Sequence, residues 1–197
     1  MSNSNNPIDI SPVPTPKQFN TTLDNFFKRF LNTQNNSLAQ TNYDPEWPSP
    51  CQQGEPFSNS KYIHWQPIQR AKNNDLEGLE KALEVDLHPS LKTFFTRYWS
   101  EQIDCIFQQG NLSLLFLWSD KDRDRLIKNQ IGHALNKIRN KQTLTFFIAC
   151  TDSDYIISID NQSGQVVLER SGYPIEKILS SDLNSFLNEL EYGRLSI

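Results

Sequence analysis

LEVDLHPSLKTFFTRYW, residues 83 to 99, decides how this chain is read. Upstream of it, Leu76, Leu79 and Leu83 recur at steps of three and four; within it, Leu91, Phe94, Phe95 and Tyr98 do the same. Between the two sets stands His88-Pro89. Proline suits the first position of a helix, where its missing N–H costs nothing, and it drives the preceding residue out of the helical region. The stretch therefore predicts a short helix, a Leu-His-Pro junction and a second helix that turns its aromatic residues to the core. His88 has no acidic or thiol partner at local spacing except Asp86, which two residues away would point to another side. It reads as a junction residue and not as a catalyst.

Outward from this junction the two halves of the chain differ. Residues 1 to 14 are rich in Ser, Asn and Pro and predict a disordered N-terminal arm. Residues 15 to 197 are expected to form a single domain, the default for a chain of 197 residues. Phe19, Leu23, Phe26, Phe27, Phe30 and Leu31 predict an amphipathic helix from about Pro16 to Gln34, and the polar run from Thr33 to Asn42 predicts a loop. From Tyr43 to Arg70, prolines at 45, 48, 50, 56 and 67 forbid a long helix. This predicts an extended, aromatic-rich segment lying across the core, with one short strand at Tyr62 to Gln66.

After Trp99 the period changes to two. Ile103–Gln108 and Leu112–Trp118 predict a hairpin around Gly110-Asn111, and Thr143–Cys150 a buried strand. Tyr155–Asp160 and Gln165–Glu169 predict a second hairpin around Asn161-Gln-Ser-Gly164. Asp120–Lys141 reads as a helix with Ile127, Ile131, Ala134, Leu135 and Ile138 on its apolar face. A last helix carries Leu183, Phe186, Leu187 and Leu190, with Ser180 or Ser181 as its cap. The fold class is α+β: a mixed or antiparallel sheet of about five to six strands packed with N-terminal, central and C-terminal helices.

Composition excludes more than it selects. The formal charge is −4, with nine basic against ten acidic residues up to residue 100 and ten against thirteen after it, so no basic stripe invites nucleic acid. Three scattered cysteines without C-x-x-C spacing suggest neither a disulfide framework nor a zinc site. No leader pattern opens the chain and no apolar run is long enough to span a membrane, so a cytoplasmic protein is expected. His64, His88 and His133 are scattered, and neither G-x-x-x-x-G-K-[ST] nor G-x-G-x-x-G occurs. The expected protein is not an enzyme, needs no cofactor and holds no metal. A thiol hydrolase built from Cys150, His133 and Asp152 is the catalytic alternative; it requires the thiol and the imidazole to lie within hydrogen-bond reach. The competing reading of Cys150 is a buried strand residue.

Six strings in order carry a resemblance: Trp47-Pro-Ser-Pro-Cys51, Tyr62-Ile-His-Trp-Gln-Pro67, Leu83 to Phe94, Leu117-Trp-Ser-Asp120, Ile131-Gly-His133 and Phe147-Ile-Ala149. From about Phe19 to Leu190 the chain resembles the Syd family of SecY-interacting proteins, within the SUKH superfamily. That superfamily has a helix, a Leu-Pro break, an aromatic-bearing helix and a sheet ending in a D-x-x-x-G hairpin. Here the break is Leu87-His88-Pro89, one residue longer, and the hairpin is Asp160-Asn-Gln-Ser-Gly164. The resemblance implies a SUKH-like fold and a protein peripheral on the cytoplasmic side of the inner membrane. Its partner would be the cytoplasmic loops of the SecY translocon, bound through an acidic concave surface, with a role in monitoring SecY assembly.

Such loops are enriched in Lys and Arg, so an acidic reader gains from charge and aromatic residues would add the rest. Charge and expected exposure nominate Asp44, Glu46, Trp47, Trp65, Glu101, Asp104, Asp120 and Asp122 as the partner-binding residues. A monomer is expected, with membrane contact through the partner. The alternative within the superfamily is an immunity protein whose acidic groove covers a basic nuclease toxin.

Overall fold

The structure, a computed structural model, describes residues 15–34, 38–57, 61–71 and 75–195, so the predicted arm over residues 1 to 14 lies outside the described residues. At the junction the chain folds as its spacing dictates. Helix α2, Glu77–Leu83, ends with Glu84 in the left-handed region at φ 54°, and α3, Pro89–Thr96, begins at the proline. His88 is the N-cap of α3: its extended backbone precedes the helix, and its ring Nδ1 accepts from the Ser90 N–H at 3.3 Å, with Ser90 Oγ at 2.7 Å. Leu91, Phe94 and Phe95 go to the core.

Two groups then lock this junction to distant chain. Helix α1, Pro16–Thr33, presents Asp24, which accepts from Arg97 Nε at 2.8 Å, from Arg97 Nη2 at 2.6 Å and from the Tyr98 hydroxyl at 2.8 Å. On the other side, the D-x-x-x-G hairpin presents Asn161, whose Oδ1 accepts from the His88 N–H and whose Nδ2 donates to Asp86 O, both at 2.9 Å. The His88 ring packs against Gly164, which holds φ +76° and leaves no room for a Cβ. The break and the hairpin that mark the sequence are thus one interlocked structure.

Burial pushes His88 below the ordinary imidazole value of 6.5, with Asp160 pulling the other way. The unfolded chain takes up this proton first as pH falls. The neutral ring's contribution to stability is therefore complete above pH 6.5 and is lost as pH falls from there through the folded value. An NMR titration of His88 should give a midpoint below 6.5; a midpoint at or above it would contradict the packing described.

The first half forms more sheet than its sequence predicts. Strands β1, Ala39–Asn42, β2, Gln52–Gln53, and β3, Tyr62–Trp65, pair in the order β1-β3-β2, all antiparallel. The predicted strand at Tyr62 is present, whereas the polar loop predicted over Thr33–Asn42 contains β1. Strand β4, Ile68–Gln69, pairs with β5, Tyr98–Trp99, directly after α3.

The main sheet comprises β6, Ile103–Phe107, β7, Gly110–Leu114, β8, Thr145–Thr151, β9, Tyr155–Asp160, β10, Val166–Arg170, β11, Ile175–Ser180, and β12, Glu191–Tyr192. Its order is β11-β10-β9-β8-β7-β6-β12, antiparallel throughout. Among the described residues this sheet has seven strands, more than the five to six expected, because β11 and β12 were not foreseen. Helix α5, Leu183–Glu189, is capped by Asp182, whose Oδ1 accepts from the Ser185 N–H at 2.9 Å. The cap is therefore neither Ser180 nor Ser181: a carboxylate three residues before a free N–H is the stronger acceptor at a positive helix end. The α+β class holds. One contiguous core joins α1, α3, α5 and the sheet through residues such as Phe26, Phe94, Phe146 and Phe186.

Helix α4, Asp120–Arg139, lies against the sheet with Ala134 in the core and Ile127 and Ile131 packed against it, as the sequence predicts, but the rest of the predicted apolar face is turned away. Leu135 and Ile138 are about half exposed, at 50% and 49%, while Gln130, His133, Ala134 and Lys137 are buried. The polar side chains point inward because the sheet offers them partners. Gln130 Nε2 donates to Phe147 O at 2.6 Å and its Oε1 accepts from the Phe147 N–H at 3.2 Å, beside the β8 bulge. His133 Nε2 lies 3.0 Å from Thr145 Oγ1, and Lys137 Nζ donates to Glu169 and, at 2.8 Å, to Tyr173 O. A buried polar face is tolerated when each group finds a partner, and these do.

Candidate partner-binding groove

The groove begins with the loop after β1. Asp44 starts a turn, its Oδ1 accepting from the Glu46 N–H at 2.9 Å and its carbonyl from the Trp47 N–H at 3.0 Å. This turn lays Trp47 against the first turn of α4, where the indole Nε1 donates to Asp122 Oδ2 at 3.1 Å. Lys121 Nζ at 5.1 Å and the Arg125 guanidinium at 5.4 Å sit over the same ring, close enough for cation–π attraction. Trp118 Nε1 donates to Trp47 O at 3.3 Å, and Ser49 Oγ to Trp118 O at 2.5 Å. The loop is thereby fastened to α4 at its base.

Across from it, the approach to β6 supplies Glu101, Gln102 and Asp104. Glu101 Oε2 accepts from Thr41 Oγ1 at 2.9 Å, which ties β1 to this wall. Between the walls is a hollow of about 520 Å³ lined by Asp44, Trp47, Glu101, Asp104, Asp122 and Arg125, with Thr41, Asn42, Gln102 and Trp118. A second hollow of about 290 Å³ shares Glu101, Gln102, Trp118, Asp122 and Arg125 and continues over apolar Leu115, Leu126 and Phe147. The two make one groove, acidic at one end and apolar at the other.

Its carboxylates are unequally compensated. Asp122 has Arg125 at 3.5 Å, and Asp104 has Ser113 Oγ and, at 3.1 Å, Arg194. Among the described residues Glu101 takes neutral donors, Thr41 and the Gln102 N–H at 3.2 Å, and Asp44 takes the backbone of its own turn. Two carboxylates facing the hollow can thus accept a cation from outside.

Five of the eight nominated residues, Asp44, Trp47, Glu101, Asp104 and Asp122, are brought together here. The other three are elsewhere. Trp65 is a core residue, 3% exposed, stacked on Phe30 at 5.6 Å and edge-on to Trp118 at 6.0 Å; as a surface anchor it is corrected, because the alternation of β3 turns Ile63 and Trp65 inward. Asp120 is exposed and pairs with Arg123 at 2.9 Å, outside the groove lining. Glu46 is exposed and gives its carbonyl to Lys121 at 2.7 Å, its side chain also outside the lining. Arg125, Thr41 and Gln102 are groove residues that the sequence reading missed.

The thiol alternative loses its geometry. Cys150 is exposed and not buried as expected, and burial of its thiol edge still pushes its pKa up. His133 is held at Thr145, five residues back along β8, roughly 16 Å at the rise of a strand. Cys51 and Cys105 are buried and their thiols are pushed up to about 11 and about 12, so none of the three is an activated nucleophile. Among the described residues no group of His, Cys, Asp and Glu could hold a metal ion, and no helix is long and apolar enough to cross a membrane.

Comparison with known proteins covers both the groove and the interlocked junction. Residues 20–192 match the family described as Syd protein (SUKH-2). The chain is 39% identical over 177 residues to Protein Syd of Pseudoalteromonas atlantica, covering 87% of this chain and 95% of that one. It is 38% identical over 174 residues to Protein Syd of Psychromonas ingrahamii, covering 86% and 94% respectively. With the helix, junction, second helix and D-x-x-x-G hairpin in place, and with matches of this length, the chain belongs to the Syd protein (SUKH-2) family.

Proposed function

We propose that this protein is a SecY-interacting protein, acting as a single unit over residues 15 to 197, that binds basic cytoplasmic loops of the translocon through the acidic groove. It would be peripheral on the cytoplasmic side of the membrane and would act without catalysis. The observation that carries this reading is the convergence of Asp44, Trp47, Glu101, Asp104 and Asp122 on one hollow of about 520 Å³ from three separated parts of the chain.

The recognition step is physical and simple. A Lys or Arg of the loop enters between Asp44 and Glu101, whose carboxylates pair with no cation among the described residues. Near a protein surface such a pair is worth about 1–4 kcal/mol before side-chain ordering is subtracted, so several contacts are needed for stable binding. The apolar continuation over Leu115, Leu126 and Phe147 adds a term that salt does not screen. Asp104 and Asp122, already paired, orient the incoming charge and need not bind it alone.

Co-purification with SecY in detergent tests this. Association should weaken as ionic strength rises, since the Debye length falls to about 3 Å at 1 M. Asp44→Lys combined with Glu101→Lys should lower affinity at low salt about tenfold or more. Asp120→Lys, outside the groove lining, should change it less than about threefold, the range of a rim charge. Equal losses from the two variants, or association indifferent to salt, would overturn the reading.

A further inference from the structure

A second hollow lies on the opposite face of the main sheet. In the pairing register, Asp104, Ser113 and Cys150 form one row across β6, β7 and β8, while Cys105, Leu112 and Thr151 form the next. Successive residues of a strand point to opposite faces, so the groove at Asp104 and the hollow at Leu112 and Thr151 are on opposite sides. This hollow has a volume of about 470 Å³, within the range of small-molecule pockets. Half-buried Leu168 and Leu179 supply most of its apolar surface, over Leu112 and Ile157, each 2% exposed, and the β6–β7 and β8–β9 turns stand side by side at one end.

Charge selects what could enter. Two ionisable side chains of opposite sign line the hollow, Asp152 and Lys177. Asp152 is already committed, accepting from Arg194 and, at 2.9 Å, from Asn111 Nδ2. Lys177 is exposed and makes no ion pair or side-chain hydrogen bond among those observed in the described residues. Of the charges that line the hollow the uncompensated one is therefore positive, with the Glu176 carboxylate beside it on the hydroxyl of Tyr155 at 2.8 Å. An extended peptide fits it poorly. The floor strands β7 to β11 are paired with one another, so a peptide backbone lying across them would lose water without gaining partners.

We propose that this hollow binds a small amphipathic carboxylate, an unbranched fatty acid of short to medium length, with its alkyl chain over Leu112, Ile157, Leu168 and Leu179 and its carboxylate on Lys177. No bond is made or broken; the gain is apolar burial plus one charge-assisted hydrogen bond. The site is independent of the groove proposed for SecY.

Calorimetric titration of the full chain with octanoate, octanol and octylamine tests it. Octanoate should bind saturably at one site, octanol more weakly, and octylamine not measurably. Lys177→Met should lower octanoate affinity about tenfold and leave octanol within about twofold. Leu179→Trp, which fills the hollow, should abolish both; the circular dichroism and melting temperature of that variant report whether it folds, and Lys177→Met, at an exposed position, carries the test if it does not. Absence of saturable octanoate binding, octylamine binding as tight as octanoate, or an unchanged octanoate affinity in Lys177→Met would overturn the proposal. So would binding of acetyl-Ala-Ala-Leu where octanoate fails, since the ligand would then be a polypeptide terminus.

Discussion

Replacing Lys137 by methionine is expected to destabilise the protein by about 3–5 kcal/mol, the loss that follows when one partner of a fully buried ion pair is removed. Lys137 and Glu169 both have side chains at 0% exposure, so neither can turn to water when the other is gone. Domains of this size have roughly 5–15 kcal/mol in total, so the variant would lose a large share of its stability. Urea denaturation measures it through the midpoint at unchanged slope. Lys137→Met combined with Glu169→Leu should recover most of the loss, because it removes the stranded carboxylate as well. A single variant that loses less than about 1 kcal/mol would show that water reaches this cluster.

The same cluster sets an acid limit. Burial would push the Glu169 carboxyl up, but hydrogen bonds from His133, Lys137 and Thr145 hold it down to about 2, against 4.5 for the unperturbed group. Its folded value is depressed, so its contribution is complete above about pH 4.5 and is lost as pH falls toward 2. By linkage this amounts to about 3 kcal/mol. In Lys137→Met the onset stays near pH 4.5, the unfolded value, but the acid-dependent loss should be smaller and complete at a higher pH, because one of the bonds that holds the carboxyl down is gone.

The second large effect is expected at Gly164. Its φ of +76° is one that residues with a side chain rarely adopt, and a Cβ there would meet the His88 ring, 2.6 Å from Nε2 and nearer still to Cε1. Gly164→Ala therefore combines left-handed strain of about 1–2 kcal/mol with overpacking of about 1–3 kcal/mol, for a loss near 2–5 kcal/mol. Adding His88→Ser removes the overpacking and keeps a capping hydroxyl at α3. In a double-mutant cycle the two substitutions should couple by at least about 1 kcal/mol, with the double variant more stable than additivity predicts. Additive losses would mean that the ring and the hairpin do not touch in solution.

These two sites show where sequence reasoning reaches and where it stops. The helices around His88-Pro89 were legible because aromatic and leucine residues repeat at 3.6 and the proline marks the break. The first hairpin was legible because Ile103–Phe107 and its partner strand alternate, and the second because Asn161-Gln-Ser-Gly164 separates two short apolar runs. Strand β11 was not: Ile175–Ser180 is an edge strand with a bulged pairing and three consecutive exposed residues, Glu176, Lys177 and Ile178, so no period-two signal survives. Strand β1 is polar and half exposed for the same reason.

On helix α4, Ile127, Ile131 and Ala134 were legible, but Leu135 and Ile138 were placed inward because apolar periodicity cannot register a buried Gln130, His133 and Lys137, whose partners Phe147, Thr145 and Glu169 lie 12 to 32 residues away. For the groove, charge and expected exposure nominated four carboxylates and Trp47, which converge. They could not say that Trp65 faces inward, nor that Arg125, one turn after Asp122, enters the same hollow.

The central claim is that basic loops bind at this groove. The most direct measurement is an NMR titration of the isotope-labelled chain with a peptide carrying a basic cytoplasmic loop of SecY, at low salt. Shifts are expected to concentrate at residues 41–47, 101–104 and 118–126, to include the indole N–H of Trp47, and to diminish as salt is raised. Shifts confined to other surfaces, or none at these three segments while the peptide binds, would contradict it.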